Sequence, residues 1–80
     1  MARYTGTMPT LFTRNACSAC DGVKKYMLEN DLPFREVNIM EDYAAAYALV
    51  NDGIRSVPVL ELEDGTRFIG GADIHEHLKG

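Results

Sequence analysis

Two cysteines three positions apart, Cys17 and Cys20, are the residues of this chain best suited to chemistry, and they are its only cysteines. In thiol–disulfide exchange the attacking species is a thiolate, so a reactive cysteine needs a pKa lowered by its surroundings. The N-terminus of an α-helix supplies unpaired N–H groups and a partial positive charge, and both stabilise an anion. Because a helical pattern begins at Ser18, we expect Cys17 to attack a disulfide and Cys20, one turn deeper, to resolve the mixed disulfide.

Two other roles for the cysteine pair remain open from the residues alone. A Cys-x-x-Cys unit can be half of a zinc site, and only His75 and His77 could complete it. Residues two apart on a helix face different ways, and the spacing fits no common zinc module, so no metal site is predicted and both histidines are expected to face solvent. Two inert core cysteines are the other alternative, but burial alone does not explain a position just before a helix. The pattern therefore favours a redox-active pair.

Length and composition restrict the class of protein. The 80 residues suffice for one domain, which we expect to span residues 1–80 with residues 1–8 as a flexible N-terminal extension. A formal net charge of −4 offers no basic surface for nucleic acid. The apolar runs are too short to span a membrane, and the first residues lack the apolar stretch of a signal peptide. We therefore expect a cytoplasmic protein, in a compartment where disulfides are usually catalytic or transient. The chain is also expected to be a monomer.

The local patterns predict the element order βαβαββα. β-Prone runs predict strands at 9–13, 34–39, 57–62 and 66–69, and helical patterns predict helices at 18–30, 43–51 and 72–78. The βαβ half implies two parallel strands joined by a right-handed crossover, and the second half is a hairpin followed by a covering helix. We therefore predict an α/β fold, a four-stranded mixed sheet flanked by helices. The cysteine pair then lies where the first strand meets the first helix.

Apolar residues at helical spacing predict which side chains face the core. In the first and last helices they are Val23, Tyr26, Met27, the neighbouring Leu28, Ile74 and Leu78. Tyr43 and Tyr47, spaced i and i+4 in the second helix, are interpreted as packing residues rather than as a cofactor site. Gly53 is predicted to end that helix.

The chain resembles the glutaredoxins, within the thioredoxin-like superfamily, over most of its length. The resemblance is carried by Leu11-Phe12-Thr13-Arg14-x-x-Cys17-x-x-Cys20, by Lys24, by Ser56-Val57-Pro58 and by Gly70-Gly71-x-Asp73. Each motif is weak alone, but their order and spacing agree with the element order derived above. The resemblance implies a thioredoxin-like fold and a dithiol oxidoreductase that reduces protein disulfides and glutathione mixed disulfides. Glutathione would be the co-substrate, with no tightly bound cofactor.

The resemblance also assigns binding roles to six further residues: Arg14, Val57, Pro58, Gly71, Ala72 and Asp73. The bond before Pro58 would be cis and would face the cysteine pair, and the Val57 backbone would pair with the cysteine of glutathione. Arg14 would bind the glycine carboxylate of the tripeptide. The Gly-Gly-x-Asp turn would bind its γ-glutamyl end at the N-terminus of the last helix.

Two departures from the family pattern keep other functions open. The commonest motif is Cys-Pro-Tyr-Cys, whereas Ser18 and Ala19 stand here, so a surface beside bound glutathione is missing. Three alanines at 44–46 offer no polar contact from the second helix. One alternative is a glutaredoxin-like redoxin that takes electrons from thioredoxin reductase and reduces ribonucleotide reductase, although such redoxins usually lack the Gly-Gly-x-Asp turn. The other is an iron–sulfur cluster module held by Cys17 and glutathione, as in some glutaredoxins without the proline.

Overall fold

A computed structural model of the chain describes residues 8–80. Its elements are β1 (Thr10–Thr13), α1 (Ser18–Glu29), β2 (Arg35–Asn38), α2 (Tyr43–Asn51), β3 (Val59–Glu61), β4 (Arg67–Ile69) and α3 (Gly71–Lys79). This order confirms the predicted βαβαββα arrangement, and every boundary lies within two residues of its predicted position. Of the predicted extension at 1–8, only Met8 is described, as an exposed residue, and the rest lies outside the described residues. None of the helices between residues 8 and 80 has the length and apolar character needed to cross a bilayer.

The four strands form one mixed sheet in the order β2-β1-β3-β4. β1 and β2 are parallel, with Phe12 opposite Val37, while β3 runs antiparallel to both β1 and β4. The parallel pair is connected through α1, and β3 and β4 form the predicted hairpin. The carboxyl end of β1 therefore leads directly into the segment that carries the cysteines.

The sheet separates two apolar cores because adjacent strand residues point to opposite faces. Leu11 faces a cluster with α1 and α3, and Phe12 faces a cluster with α2. The buried members of the first cluster are Leu11, Val23, Met27, Leu60 and Ile74. The buried members of the second are Phe12, Leu49 and Val59. The helices are thus held on both faces of the sheet.

Of the residues predicted to face the core, Val23, Met27 and Ile74 are buried, Leu78 packs against them and Tyr26 is half-buried, whereas Leu28 and the two tyrosines of α2 are exposed. Leu28 is 68% exposed because it lies about 100° around α1 from the buried Met27. Tyr43 and Tyr47 are 83% and 71% exposed, so they are not packing residues. The face of α2 that meets the sheet is instead formed around Leu49, and the tyrosines lie on a different side of the helix.

The end of α2 is fixed by a Schellman arrangement around the predicted Gly53, whose φ is +81°. The N–H of Gly53 donates to the carbonyl of Val50, and the N–H of Ile54 donates to the carbonyl of Leu49, both at 2.9 Å. Ile54 also packs on the Leu49 cluster. The chain is thereby turned from α2 into the loop that reaches the cysteine pair.

Candidate redox site

The first cysteine caps the first helix. Cys17 has extended backbone angles, and its Sγ accepts a hydrogen bond from the Cys20 N–H at 3.1 Å. A serine or aspartate oxygen usually occupies this N-cap position. The sulfur therefore lies at the positive end of α1, where N–H donors and the helix dipole favour a thiolate.

The two cysteines form a disulfide, so the structure represents the oxidised protein. Their Cα atoms are 5.2 Å apart, within the usual range for a disulfide. Cys20 is completely buried, whereas Cys17 is partly exposed. Only the Cys17 sulfur is accessible to an incoming substrate, which is the arrangement required if Cys17 attacks and Cys20 resolves.

The loop before Cys17 is held in place by the neighbouring strand. Ala16 has a φ of +53°, which is uncommon for a residue with a side chain. The side-chain amide of Asn38, the last residue of β2, donates to the Asn15 side-chain oxygen at 2.8 Å. This bond between the ends of β2 and β1 fixes the turn that delivers Cys17 to the helix N-terminus.

A cavity of about 350 Å³ lies beside Cys17. Its apolar wall is formed by Ile39, Leu49, Val50 and Ile54. Its polar rim includes Arg14, Arg55 and Ser56. No carboxylate belongs to the lining, so Arg14 and Arg55 give the cavity a positive rim that suits an anionic ligand next to Cys17.

The loop before β3 forms another side of the site. The Val57–Pro58 peptide bond is cis, as the resemblance to glutaredoxins implies. Val57 lines the Cys17 cavity, and Pro58 is buried behind it. The carbonyl of Pro58 accepts a hydrogen bond from the Gly70 N–H at 2.9 Å. A Cβ added at Gly71 would lie 3.7 Å from the Cβ of Ala19, so the start of α3 packs against the residues between the cysteines.

Four of the six predicted binding residues do not line the cavity: Pro58, Gly71, Ala72 and Asp73. Ala72 and Asp73 are exposed in the first turn of α3. Ala72 lines a separate depression on α3 together with His75 and Glu76. The structure therefore brings Arg14 and Val57 to Cys17 and places Gly71 beside the cysteine segment, but it does not bring Ala72 and Asp73 into the same cavity.

Sequence reasoning missed Arg55. The available signal was its position immediately before the Ser56-Val57-Pro58 motif, which already predicted a substrate-binding loop. The resemblance to glutaredoxins assigns a binding role to Arg14 but none to Arg55. Since both arginines line the same cavity, the site has two positive groups rather than one.

A polar network lies beside the cysteine segment on the α1 face of the sheet. The buried hydroxyl of Thr13 donates to Glu36 Oε2 at 2.8 Å, and Lys24 Nζ donates to the same oxygen at 3.1 Å. The Thr13 hydrogen bond, and secondarily Lys24, hold the pKa of Glu36 below its ordinary value although partial burial opposes them. The network joins the last residue of β1 to β2 and α1, and so supports the start of the Cys17 loop.

His75 and His77, the only histidines that could complete a zinc site, make aromatic contacts. The His75 ring meets Tyr26 edge to face at 5.3 Å between centroids, and the His77 ring stacks on Phe68 at 4.1 Å. Both rings lie against aromatic side chains; His77 is exposed, as expected for a solvent-facing residue, whereas His75 is half-buried. Between residues 8 and 80, no three His, Cys, Asp or Glu side chains converge in a way that could hold a metal ion.

These features define a class of protein. A βαβαββα sheet, a Cys-x-x-Cys pair at the N-terminus of the first helix and a cis-proline loop beside the exposed sulfur are those of a thioredoxin-like thiol–disulfide oxidoreductase. The sequence profile of the family Glutaredoxin matches residues 10–68. The chain belongs to the glutaredoxin family.

The chain is similar to several known proteins. The Glutaredoxin-like protein NrdH of Lactococcus lactis subsp. cremoris is 33% identical over 57 residues, which cover 71% of this chain and 79% of that protein. An N-acetyl-S-hydroxy-L-cysteine reductase of Bacillus subtilis is 34% identical over 70 residues, which cover 85% of this chain and 75% of that protein. The glutaredoxin-like protein NrdH-redoxin from Escherichia coli, whose structure was determined to explain a thioredoxin-like activity profile, is similar with a TM-score of 0.75. It is 30% identical, and the match covers 86% of this chain and 92% of that one.

Proposed function

We propose that this protein is a glutathione-dependent dithiol reductase that acts on protein disulfides and on glutathione mixed disulfides. The observation that carries the proposal is that two arginines, Arg14 and Arg55, line the same cavity as the partly exposed Cys17. Glutathione has two carboxylates and a central cysteine. Charge-assisted bonds from guanidinium to carboxylate are the strong and directional kind, so two arginines suit a thiol that carries carboxylates.

The exchange with a glutathione mixed disulfide follows from the positions of the two sulfurs. The Cys17 thiolate attacks the glutathione sulfur, the disulfide of the substrate breaks, and the released thiolate takes a proton from water. A second glutathione thiolate then attacks the mixed disulfide on Cys17, which yields glutathione disulfide and restores the Cys17 thiolate.

With a protein disulfide, the second step uses the buried thiol instead. Cys17 first forms a mixed disulfide with one substrate sulfur. Cys20 loses its proton and attacks the Cys17 sulfur, which forms the Cys17–Cys20 disulfide and releases the substrate as a dithiol. Two electrons pass from the protein to the substrate, and two glutathione molecules return them in the next half-cycle.

The family comparisons lend support to a small carboxylate-bearing thiol as ligand. One relative is a reductase of N-acetyl-S-hydroxy-L-cysteine, which is itself a small cysteine derivative with a carboxylate.

We propose a monomer in the cytoplasm, the compartment in which a dithiol of this kind is kept reduced. Val57, next to Cys17, would align the ligand's cysteine through its backbone, and Gly71, Ala72 and Asp73 would meet the other end of a tripeptide that extends beyond the cavity.

A second candidate is an electron donor to ribonucleotide reductase that is itself reduced by thioredoxin reductase. The similarity to NrdH proteins favours it. The cavity also favours it in one respect, because α2 contributes only apolar side chains, Leu49 and Val50, where a further polar contact to glutathione would be useful.

One experiment separates the two candidates. The protein is supplied with a glutathione mixed disulfide, once with glutathione and glutathione reductase and once with thioredoxin reductase, and NADPH consumption is followed. We expect turnover with glutathione and little with thioredoxin reductase. Efficient turnover with thioredoxin reductase alone would contradict the glutathione-dependent function and support the second candidate.

A further inference from the structure

The second helix presents to solvent an apolar face that its packing does not explain. α2 meets the sheet through Leu49 and Ala45, whereas Tyr43, Tyr47 and Val50 are 83%, 71% and 54% exposed. Positions 43, 47 and 50 are spaced i, i+4 and i+7, so their side chains form one stripe along the helix. We call these three residues the α2 stripe.

The α2 stripe is continuous with the redox cavity. Val50 is its last member and also a wall of the cavity that contains Cys17. Tyr43 lies about 10 Å further along the helix, at 1.5 Å per residue, and neither tyrosine lines the cavity. A ligand seated only in the cavity therefore leaves the tyrosines uncovered, and the whole stripe suits a larger partner.

The charges at the two ends of the α2 stripe differ in sign. At the Val50 end, Arg14 and Arg55 line the cavity. At the Tyr43 end, the exposed Glu41 and Asp42 directly precede the helix. A partner that lies along the stripe is matched in charge when it has an acidic residue beside its cysteine and a basic residue further away.

We infer that the α2 stripe is the docking surface for the disulfide-bearing segment of a protein substrate, an inference that rests on the proposed reduction of protein disulfides at Cys17. The matching segment has an acidic residue next to its cysteine, apolar residues at the following three or four positions, and a basic residue beyond them. An extended chain advances about 3.3 Å per residue, so this length spans the stripe. Tyrosine suits such a surface because it offers a large contact area with few rotatable bonds.

The test compares the wild type with the double variant Tyr43→Ala, Tyr47→Ala. Alanine favours the helix, and neither tyrosine is in the core, so the fold is expected to persist. Leu28→Ala is the matched control, since Leu28 is 68% exposed on α1. Each protein is fully reduced and then mixed with excess oxidant, and the rate of oxidation of its cysteine pair is measured. The oxidants are a disulfide peptide with the acidic, apolar, basic order, the same peptide with its charges exchanged, and glutathione disulfide.

We expect the double variant to react about tenfold more slowly with the matched peptide, a loss typical of central interface side chains. Its rate with glutathione disulfide should stay at the wild-type value, and Leu28→Ala should change neither rate. The charge-exchanged peptide should react more slowly than the matched one with the wild type. Equal rates of wild type and double variant with the matched peptide would overturn the inference, and so would an equal loss with glutathione disulfide.

Two further results keep this inference separable from the proposed function. The assay contains no electron donor, so it measures only the oxidation of the protein. A wild type that is oxidised readily by the peptide but not by glutathione disulfide would contradict the glutathione proposal and would leave the inferred docking surface unaffected. Sedimentation of the wild type tests a second copy of the chain as occupant. A dimer that the double variant abolishes would overturn the inference in favour of self-association.

Discussion

The carbonyl of Pro58 accepts a hydrogen bond from the N–H of Gly70 at 2.9 Å. This bond links the cis-proline loop, which borders the Cys17 cavity, to the residue that starts α3. Gly70 has a φ of +95° and caps the helix without a side chain. Gly71 follows and lies next to Ala19. The two glycines therefore connect the cis-proline loop, the start of α3 and the segment between the cysteines.

The two glycines should respond differently to the same substitution. Gly70→Ala should lower the free energy of unfolding by about 1–2 kcal/mol, because an L-residue at this φ places its Cβ against the backbone. Gly71→Ala should be tolerated, since the added Cβ would make an ordinary contact at 3.7 Å. Urea unfolding of both variants gives the comparison. Equal destabilisation would show that the φ of Gly70 is not the deciding factor.

The two cysteines should have separable roles. Cys17→Ser should abolish all disulfide reduction, because the accessible sulfur is lost. Cys20→Ser should keep glutathione-dependent reduction of glutathione mixed disulfides and lose dithiol reduction of protein disulfides, since only the latter needs a resolving thiol. In the reduced wild type, iodoacetamide at mildly acidic pH should label Cys17 far faster than the buried Cys20. Activity without Cys17, or equal labelling rates, would contradict the assignment.

The two arginines should act on ligand binding rather than on the chemical step. Arg14→Ala and Arg55→Ala should each raise the KM for a glutathione mixed disulfide by about tenfold, the effect of losing one charge-assisted bond of about 1.4 kcal/mol. The kcat at saturation should change much less. Arg35→Ala is a suitable control, because Arg35 is exposed on β2 and does not line the cavity. An unchanged KM in both cavity variants would favour the redoxin alternative.

The pH dependence of stability should include a contribution from Glu36. Its pKa is lower in the folded protein than its ordinary value, first through the Thr13 hydrogen bond. The charged form is therefore stabilised by folding, and this contribution is present above the ordinary pKa and lost as pH falls through the folded one. Glu36→Gln should reduce stability at neutral pH and flatten the acid limb of the curve near about pH 4 and below. Urea unfolding across that range measures it, and parallel curves for both proteins would exclude this role.

Restoring the family's tyrosine tests the start of α3 as a binding surface. Ala19→Tyr places an aromatic ring next to Gly71, where Ala19 now lies. We expect higher glutathione-dependent turnover, because the ring adds contact area beside the bound tripeptide. A lower turnover with unchanged stability would mean that the ring obstructs this side of the site.

The sequence by itself determined the element order and the position of the cysteine pair. Strand alternation, helical spacing and turn residues are local properties, so seven elements could be read from short windows of the chain. The cysteines fall at a strand-to-helix junction for the same reason. The cis bond at Pro58 was implied by the resemblance of the Ser56-Val57-Pro58 motif to the glutaredoxins, and the structure confirms it.

Only the tertiary structure decided which side chains meet. Arg14 and Arg55 are far apart in sequence, and they line one cavity because the α2–β3 loop folds back beside the β1–α1 loop. Spacing showed that Tyr43 and Tyr47 share a helix face, but not which face the sheet covers. Which face is covered depends on how α2 packs. Leu49 packs against the sheet, and the two tyrosines are exposed to solvent near the redox site.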